Sequence, residues 1–422
     1  MVTNAVDIHP QVRGRSASIR WGAWFGDSDV ELPFPDGWRV TSCPPQDGTD
    51  IGESGIAASF ANPIESRRLR DVAAGRRSPC IVIDDLSRPT AGDRLIPPIL
   101  DELESAGIQA EDVLILLGVA NHRILMREDM LKKLGSEVME RCTVRNHFSW
   151  ARCREIGVTS RGTPVQLNED FLAADLRILV GSIVPHPYAG FSGGAKLVMP
   201  ATASIQSAAA FHAGTPAPGD GIGVVETAAR RDAEEAAAMA GIDFLVNSVP
   251  TMHRGIAGLV TGSLVEAHRA GVRIAQATYA TSAPRGADVC VFSAYPKDNE
   301  FLQYSTAYTP LQSAPAPIVR PGGTVVVASA ASEGQGFHSL FGPGMSKFSG
   351  GSAGPADDLD VVLFSPGVRR GDLEPDQRDR APLFATWDDT VAWLAAKHGA
   401  EATVSVFPCA VTQLVGEVTD PL

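Results

Sequence analysis

Three apolar runs, each ending in polar residues, constrain the fold of this chain more than any other feature. They are "SPCIVIDDLSRPT" (78–90), "DVLILLGVANHR" (112–123) and "LRILVGSIVPH" (176–186). Apolar residues fill consecutive positions, so both faces of each strand need covering. Stretches of helical periodicity lie between such runs, as in "AGDRLIPPILDELESAG" after the first. Buried strands joined by crossover helices make a parallel sheet, and ligands of such sheets bind beyond the carboxyl ends of the strands. The residues delivered to that edge are Asp85 and Arg88, then His122, then His186.

The pattern recurs further along. Helical stretches at "ASIQSAAAFHAG", "VVETAARRDAEEAAAMAGI" and "VEAHRAGVRIAQATYATSA" lead to a second set of runs, "ADVCVFSAYP", "GGTVVVASAAS", "LDVVLFSPG" and "ATVSVFPCA". The expected fold class is therefore α/β. It comprises two α/β domains with mainly parallel sheets and a cleft between them, divided near residue 275 into 1–275 and 276–422. The first 60 residues alternate short apolar runs with Gly and Pro and read as short strands and turns. "SGGSAGPADD" (349–358) reads as a flexible loop.

The formal net charge of −13 argues against a nucleic-acid binder, which needs a basic face. The basic clusters "ESRRLR" and "AAGRRS" read as solvated helix faces. None of the six cysteines forms a C-x-x-C pair, the pattern of reduced thiols in a cytoplasmic protein. The N-terminal stretch has no apolar signal core, and no run approaches a membrane span.

Chemistry concentrates in "GSIVPHPYAGFSGGAKLVMP" (181–200) and the helical stretch after it. His186, Lys196 and His212 sit there among small and apolar residues, where charged groups are costly to bury without partners. Taken singly, these signals are weak. "FSGGAK" lacks the spacing of a phosphate loop, and "SEGQGF" (332–337) is an equally faint glycine loop. Their convergence on one sheet edge is what carries weight.

The set "IDDLSRPT", "LGVANHR", "VRNHFSWARCREIGVTSRGTPVQLN", "GSIVPHPYAGFSGGAKLVMP", "SIQSAAAFHAG", "LVEAHRAGV" and "SAYPKDNEFLQ" resembles the nickel-pincer-nucleotide lactate racemase family. The resemblance implies a cofactor held covalently on Lys196, with His212 completing the nickel coordination. It implies His122 and His186 as a pair of catalytic bases, Arg88 on the substrate and Asp85 beside the first base. Gly193 and Gly194 would admit the bulky cofactor. It further implies separate cofactor-biosynthesis enzymes and racemisation or epimerisation of a small 2-hydroxyacid.

The residue types suit that chemistry. A neutral imidazole is a good ligand for square-planar nickel. Histidine exchanges protons near neutral pH. Arginine can grip a carboxylate in a bidentate fork. His147 and His268 read as structural. One segment departs from the family. Where lactate enzymes carry a tyrosine, a glutamine and a lysine on the helix after "YPKD", this chain has Leu302, Gln303 and Thr306. The expected substrate is therefore not lactate itself. Two alternatives stay open: a cofactor-free His/His acid–base racemase or lyase, and a non-catalytic homologue that binds the nucleotide or nickel.

Overall fold

The computed structural model describes residues 11–13, 15–340, 355, 357–373, 378 and 381–420. The loop expected at 349–358 lies outside the described residues except for 355, 357 and 358. The described chain divides into two compact units. The larger holds residues 48–276 and 337–340; the smaller holds the residues up to 47, then 277–336 and those from 355 onward.

The division differs from the one expected. The break near 275 is present, but the first 47 residues belong with the C-terminal strands and residues 337–340 with the N-terminal ones. Strand pairing is the physical reason for the first difference. Strand Arg39–Ser42 pairs in parallel with Thr403–Phe407, so its backbone groups are satisfied in the smaller unit.

The larger unit is built on a six-stranded sheet in the order Ile256–Gly262, Phe244–Pro250, Leu176–Ser182, Pro79–Asp84, Leu114–Gly118, Thr143–Asn146. Every pairing is parallel except that of Ile256–Gly262 with Phe244–Pro250. Pro79–Asp84 is buried at every position, as its unbroken apolar run requires. From this strand the chain builds outward through Leu114–Gly118 to Thr143–Asn146. It then returns to place Leu176–Ser182 on the other flank. The order therefore reverses between Pro79–Asp84 and Leu176–Ser182, which makes a crevice at their carboxyl ends.

The smaller unit has a seven-stranded sheet in the order Gln11–Arg13, Arg39–Ser42, Thr403–Phe407, Ala287–Ser293, Val319–Ala328, Asp360–Phe364, Leu383–Phe384. Its two faces build separate cores. Cys290, Phe292, Val325 and Val327 pack on one side; Val289, Val291, Val326 and Ala328 pack on the other, as the two-residue strand period dictates. Two local features depart from expectation. Gly52–Ala61, within the region read as strands and turns, is a helix. Phe301–Tyr308 is a 3₁₀ helix, not an α-helix.

Candidate active site

The strand Pro79–Asp84 delivers two adjacent carboxylates with different duties. Asp84 is structural. It accepts hydrogen bonds from the fully buried Lys133 Nζ (2.7 Å), Thr90 Oγ1 (2.7 Å) and the backbone N–H of Ser182 (3.3 Å). Lys133 also donates to the carbonyls of Asp85 (2.8 Å) and Arg88 (3.1 Å), so one ammonium clamps the whole turn. Asp85 accepts from Ser87 N–H (2.9 Å) and Ser87 Oγ (2.5 Å), and its other oxygen lies 4.0 Å from His122 Nδ1. Burial alone would raise the Asp85 pKa. The His122 and Arg88 charges and the Ser87 bonds outweigh it and hold the group below its ordinary value. Arg88 donates to Ser87 Oγ at 2.9 Å.

His122 follows Leu114–Gly118 in an irregular turn that includes Ala120 at φ +51. His186 stands on the short hairpin Pro185–His186 with Gly190–Phe191. Its Nδ1 accepts the backbone N–H groups of Tyr188 (3.1 Å) and Ala189 (3.2 Å). A nitrogen that accepts carries no proton, so the neutral ring holds its proton on Nε2. The Tyr188 hydroxyl then donates to the carbonyls of Phe211 (2.7 Å) and Gly214 (2.9 Å), and its ring stacks on His212 at 5.8 Å. The hairpin with His186 and the helix with His212 are thereby tied together.

Lys196 lies on the 3₁₀ turn Gly194–Leu197 and is buried, its Nζ 5.5 Å from the centre of the Phe211 ring. Burial, with the positive charges of Arg88 and Arg230 added, holds its pKa well below the ordinary lysine value. Gly193 and Gly194 have a local reason for being glycine, distinct from the close cofactor approach expected of them. Both take positive φ, +70 and +55, and added Cβ atoms would stand 2.6 Å from Asn247 Oδ1 and 2.8 Å from the His268 ring. The turn is gripped from below. Arg230, fully buried, donates to the carbonyls of Gly193 (3.0 Å), Phe191 and Ser192, and His268 Nε2 donates to Ser192 O (2.9 Å).

His212 occupies the last turn of the helix Ile205–Ala213, whose N-terminus is capped by Ser204. Its Nδ1 donates to Ala208 O at 2.8 Å, because a carbonyl can only accept. That bond leaves the ring lone pair on Nε2, the tautomer a metal ligand needs. Burial, then the nearby Lys196 charge, lowers its pKa to about 4. His147 and His268 prove structural: His147 Nε2 donates to Ala203 O at 2.9 Å, just ahead of the His212 helix.

The larger unit thus brings Asp85, Arg88, His122, Lys196 and His212 within electrostatic reach of one another. It adds residues that sequence reasoning passed over. Lys133 and Arg230 hold the two key turns. His338 packs its ring on His122 at 4.9 Å between centroids. Gln303, Thr306 and Leu302 belong to the smaller unit. There Gln303 Nε2 donates to Glu300 Oε2 (3.1 Å), and Thr306 Oγ1 donates to Gln303 O (2.8 Å). On a 3₁₀ helix residues i and i+3 eclipse, so Gln303 and Thr306 share an edge that Leu302 does not.

A buried amine with a depressed pKa is suited to acylation, and a half-buried neutral imidazole whose tautomer leaves the lone pair on Nε2 is suited to a divalent metal. Among the described residues no three His, Cys, Asp or Glu side chains converge as a metal cage. Lys196 and His212 are of the residue types that the nickel-pincer nucleotide expected from the sequence would need. No described helix is long and apolar enough to cross a membrane.

Known proteins resemble this chain in sequence and in fold. Residues 25–223 match the lactate racemase N-terminal domain. The lactate racemase of Thermoanaerobacterium thermosaccharolyticum is 29% identical over 329 residues, 76% of this chain and 74% of that protein. The lactate racemase of Lactiplantibacillus plantarum is 27% identical over 338 residues, 78% and 76% of the two chains. The structure of the Thermoanaerobacterium thermosaccharolyticum lactate racemase apoprotein has the same fold. Its TM-score is 0.75 at 23% identity, over 95% of this chain and 100% of that one. The chain is accordingly similar to lactate racemases in sequence over about three quarters of its length, and to one of them in fold.

Proposed function

We propose that this protein racemises or epimerises a 2-hydroxyacid at C2, using a nickel-pincer nucleotide tethered to Lys196 and ligated through His212. When bound, that cofactor supplies the acceptor that takes and returns the C2 hydride. The protein's own residues do the rest. Arg88 binds the substrate carboxylate, with Ser87 and the Lys133-clamped turn holding its guanidinium in place. His122, beside the ionised Asp85, takes the hydroxyl proton and returns it. His186 is its partner for the opposite enantiomer. In the tautomer that its two Nδ1 hydrogen bonds imply, it would present an Nε2–H to the substrate oxygen. To take a proton there, its Nδ1 must release the two backbone N–H groups it accepts.

The observation that carries this reading is the union in one cluster of a buried, deprotonatable lysine and a half-buried ligand-type histidine, arginine and carboxylate-flanked histidine. They gather at the carboxyl edge of a parallel sheet. The test is intact mass, nickel content and racemisation after coexpression with the cofactor-making enzymes. Lys196 should carry the adduct, and racemisation in heavy water should leave protium at C2. Solvent deuterium at C2, or activity in unmodified Lys196→Ala protein, would replace this reading with cofactor-free proton abstraction.

We further infer that the preferred substrate is bulkier than lactate. Thr306 stands where the family resemblance places a lysine, and losing a charge-assisted hydrogen bond costs about 1.5–3 kcal/mol. The shorter side chain also leaves volume. A screen of aliphatic, aromatic, dicarboxylic and sugar-derived 2-hydroxyacids decides the point. Lactate emerging with the highest kcat/KM would refute it.

A further inference from the structure

The turn that carries His122 has little regular structure to hold it. Among the described residues, its β-bridge partner is His338, paired antiparallel. Ser339 extends the contact: its N–H donates to Asn121 O at 2.7 Å, and its hydroxyl lies 3.3 Å from Asn121 Oδ1. Asn121, His338, Ser339 and Leu340 are all buried. Leu340 packs on Ile205 and Ala208, residues of the helix that presents His212. Residues 338–340 therefore join the His122 turn to the His212 helix.

The side chain of His338 meets that of His122 edge to face, with ring centroids 4.9 Å apart and planes at 77°. Asp85, the carboxylate beside His122, stands 4.0 Å from Nδ1, beyond hydrogen-bond length. Its Oδ1 is already engaged by Ser87. Asp85 can supply charge to His122 but not, at that distance, a directional bond that sets the ring plane. The His338 ring can, because aromatic rings favour a T-shaped contact at this separation. His338 is in turn held by its own main chain, its Nδ1 accepting the Leu340 N–H at 3.2 Å.

We propose that His338 is a positioning residue for His122, fixing the plane of the base and thereby the direction of its lone pair. The proposal rests on His122 as a base of the reaction proposed above. Its function is carried by the ring and not by a bond from His338 to substrate. A near-attack geometry depends steeply on the direction of the accepting nitrogen. Loss of the ring should therefore appear in turnover and leave substrate affinity nearly unchanged.

Two measurements test this. In apoprotein with labelled histidine, His338→Ala should shift the His122 imidazole resonances while those of His147 and His268 stay in place; this readout needs neither cofactor nor reaction. In cofactor-loaded enzyme, His338→Ala should lower kcat about 10- to 100-fold with KM within about twofold. His338→Phe, which keeps the ring, should recover most of that loss. Unmoved His122 resonances in the apoprotein would overturn the contact itself, whatever the enzyme's chemistry. Shifted resonances with Ala and Phe equally impaired, or with the loss falling on KM, would overturn the positioning role in favour of direct substrate binding. Inactive wild-type enzyme with the resonance shift intact would count against the proposed reaction and leave the His122–His338 contact standing.

Discussion

Replacing Lys133 by methionine keeps most of the side-chain volume and deletes the ammonium. The group has no exposed surface and donates hydrogen bonds to Asp84 Oδ1, Asp85 O and Arg88 O. Its loss strands the Asp84 carboxylate in the interior. Breaking a buried pair from one side costs about 3–5 kcal/mol, because an uncompensated charge stays behind. Asp84 keeps Thr90 and the Ser182 N–H as donors, which favours the lower end, about 3 kcal/mol. That is roughly a hundredfold shift in the folding equilibrium of the larger unit. A chain of two units need not unfold in one step, so the proper assay is native-state hydrogen exchange at Ile81–Ile83. Adding Asp84→Asn should restore a large part of the loss, since the stranded charge is then gone. The double variant should still have a raised KM, because the turn bearing Arg88 has lost its clamp. A single-variant cost below about 1 kcal/mol, or simple additivity in the double variant, would refute the reasoning.

Three further outcomes follow from the site. His212→Ala should lose nickel while retaining the Lys196 adduct; His122→Ala should keep nickel and lose about 10²–10⁴-fold in turnover. Metal analysis, intact mass and kinetics separate the two, and reversed metal results would reverse the assignment. Because His186 is proposed to take and return a proton, His186→Gln, which keeps only a donor, should lose turnover about as severely as His186→Ala; activity retained in His186→Gln would make His186 a hydrogen-bond donor and not a base. Burial holds His147 near a pKa of about 4, whereas in the unfolded chain histidine titrates near 6.5. The unfolded state therefore binds the proton first, and stability should fall as pH drops from about 6.5 to 4, by about 3 kcal/mol from this group. Unfolding measured across that range should flatten in His147→Gln, and an unchanged slope would count against it.

Much of the larger unit was legible because its strands are buried on both faces. An unbroken run such as Pro79–Asp84 admits few other readings, and a parallel strand exposes its next residues at the ligand-binding edge. His122 and His186 could be placed for that reason alone. Lys133 and Arg230 could not. Lys132 and Arg231 look the same in sequence, and only a partner 49 residues from Lys133, or carbonyls 37 to 39 residues from Arg230, decide which cation is buried. His338 is harder still. Its neighbour Ser339 is bonded to a residue 218 positions away, and the glycine-rich stretch before it carries only a faint signal. Helix Gly52–Ala61 went unread because two glycines and scattered small residues mask its periodicity. The division of the chain misled for a comparable reason: the attachment of Arg39–Ser42 is set by a strand more than 350 residues later.

That last pairing bears on how the molecule is made. In the smaller unit's sheet, Thr403–Phe407 lies between Arg39–Ser42 on one side and Ala287–Ser293 on the other. The strand synthesised near the end is the one that joins the first to the middle. While a ribosome is still translating residue 400, Arg39–Ser42 has no parallel neighbour, and Ala287–Ser293 has one edge open. The six strands of the larger unit, all complete by Gly262, have no such wait. Nascent chains halted after Phe364 and before Thr403 should therefore display a protease-resistant larger unit together with a sheet whose edges are unpaired, the form of this protein most exposed to aggregation.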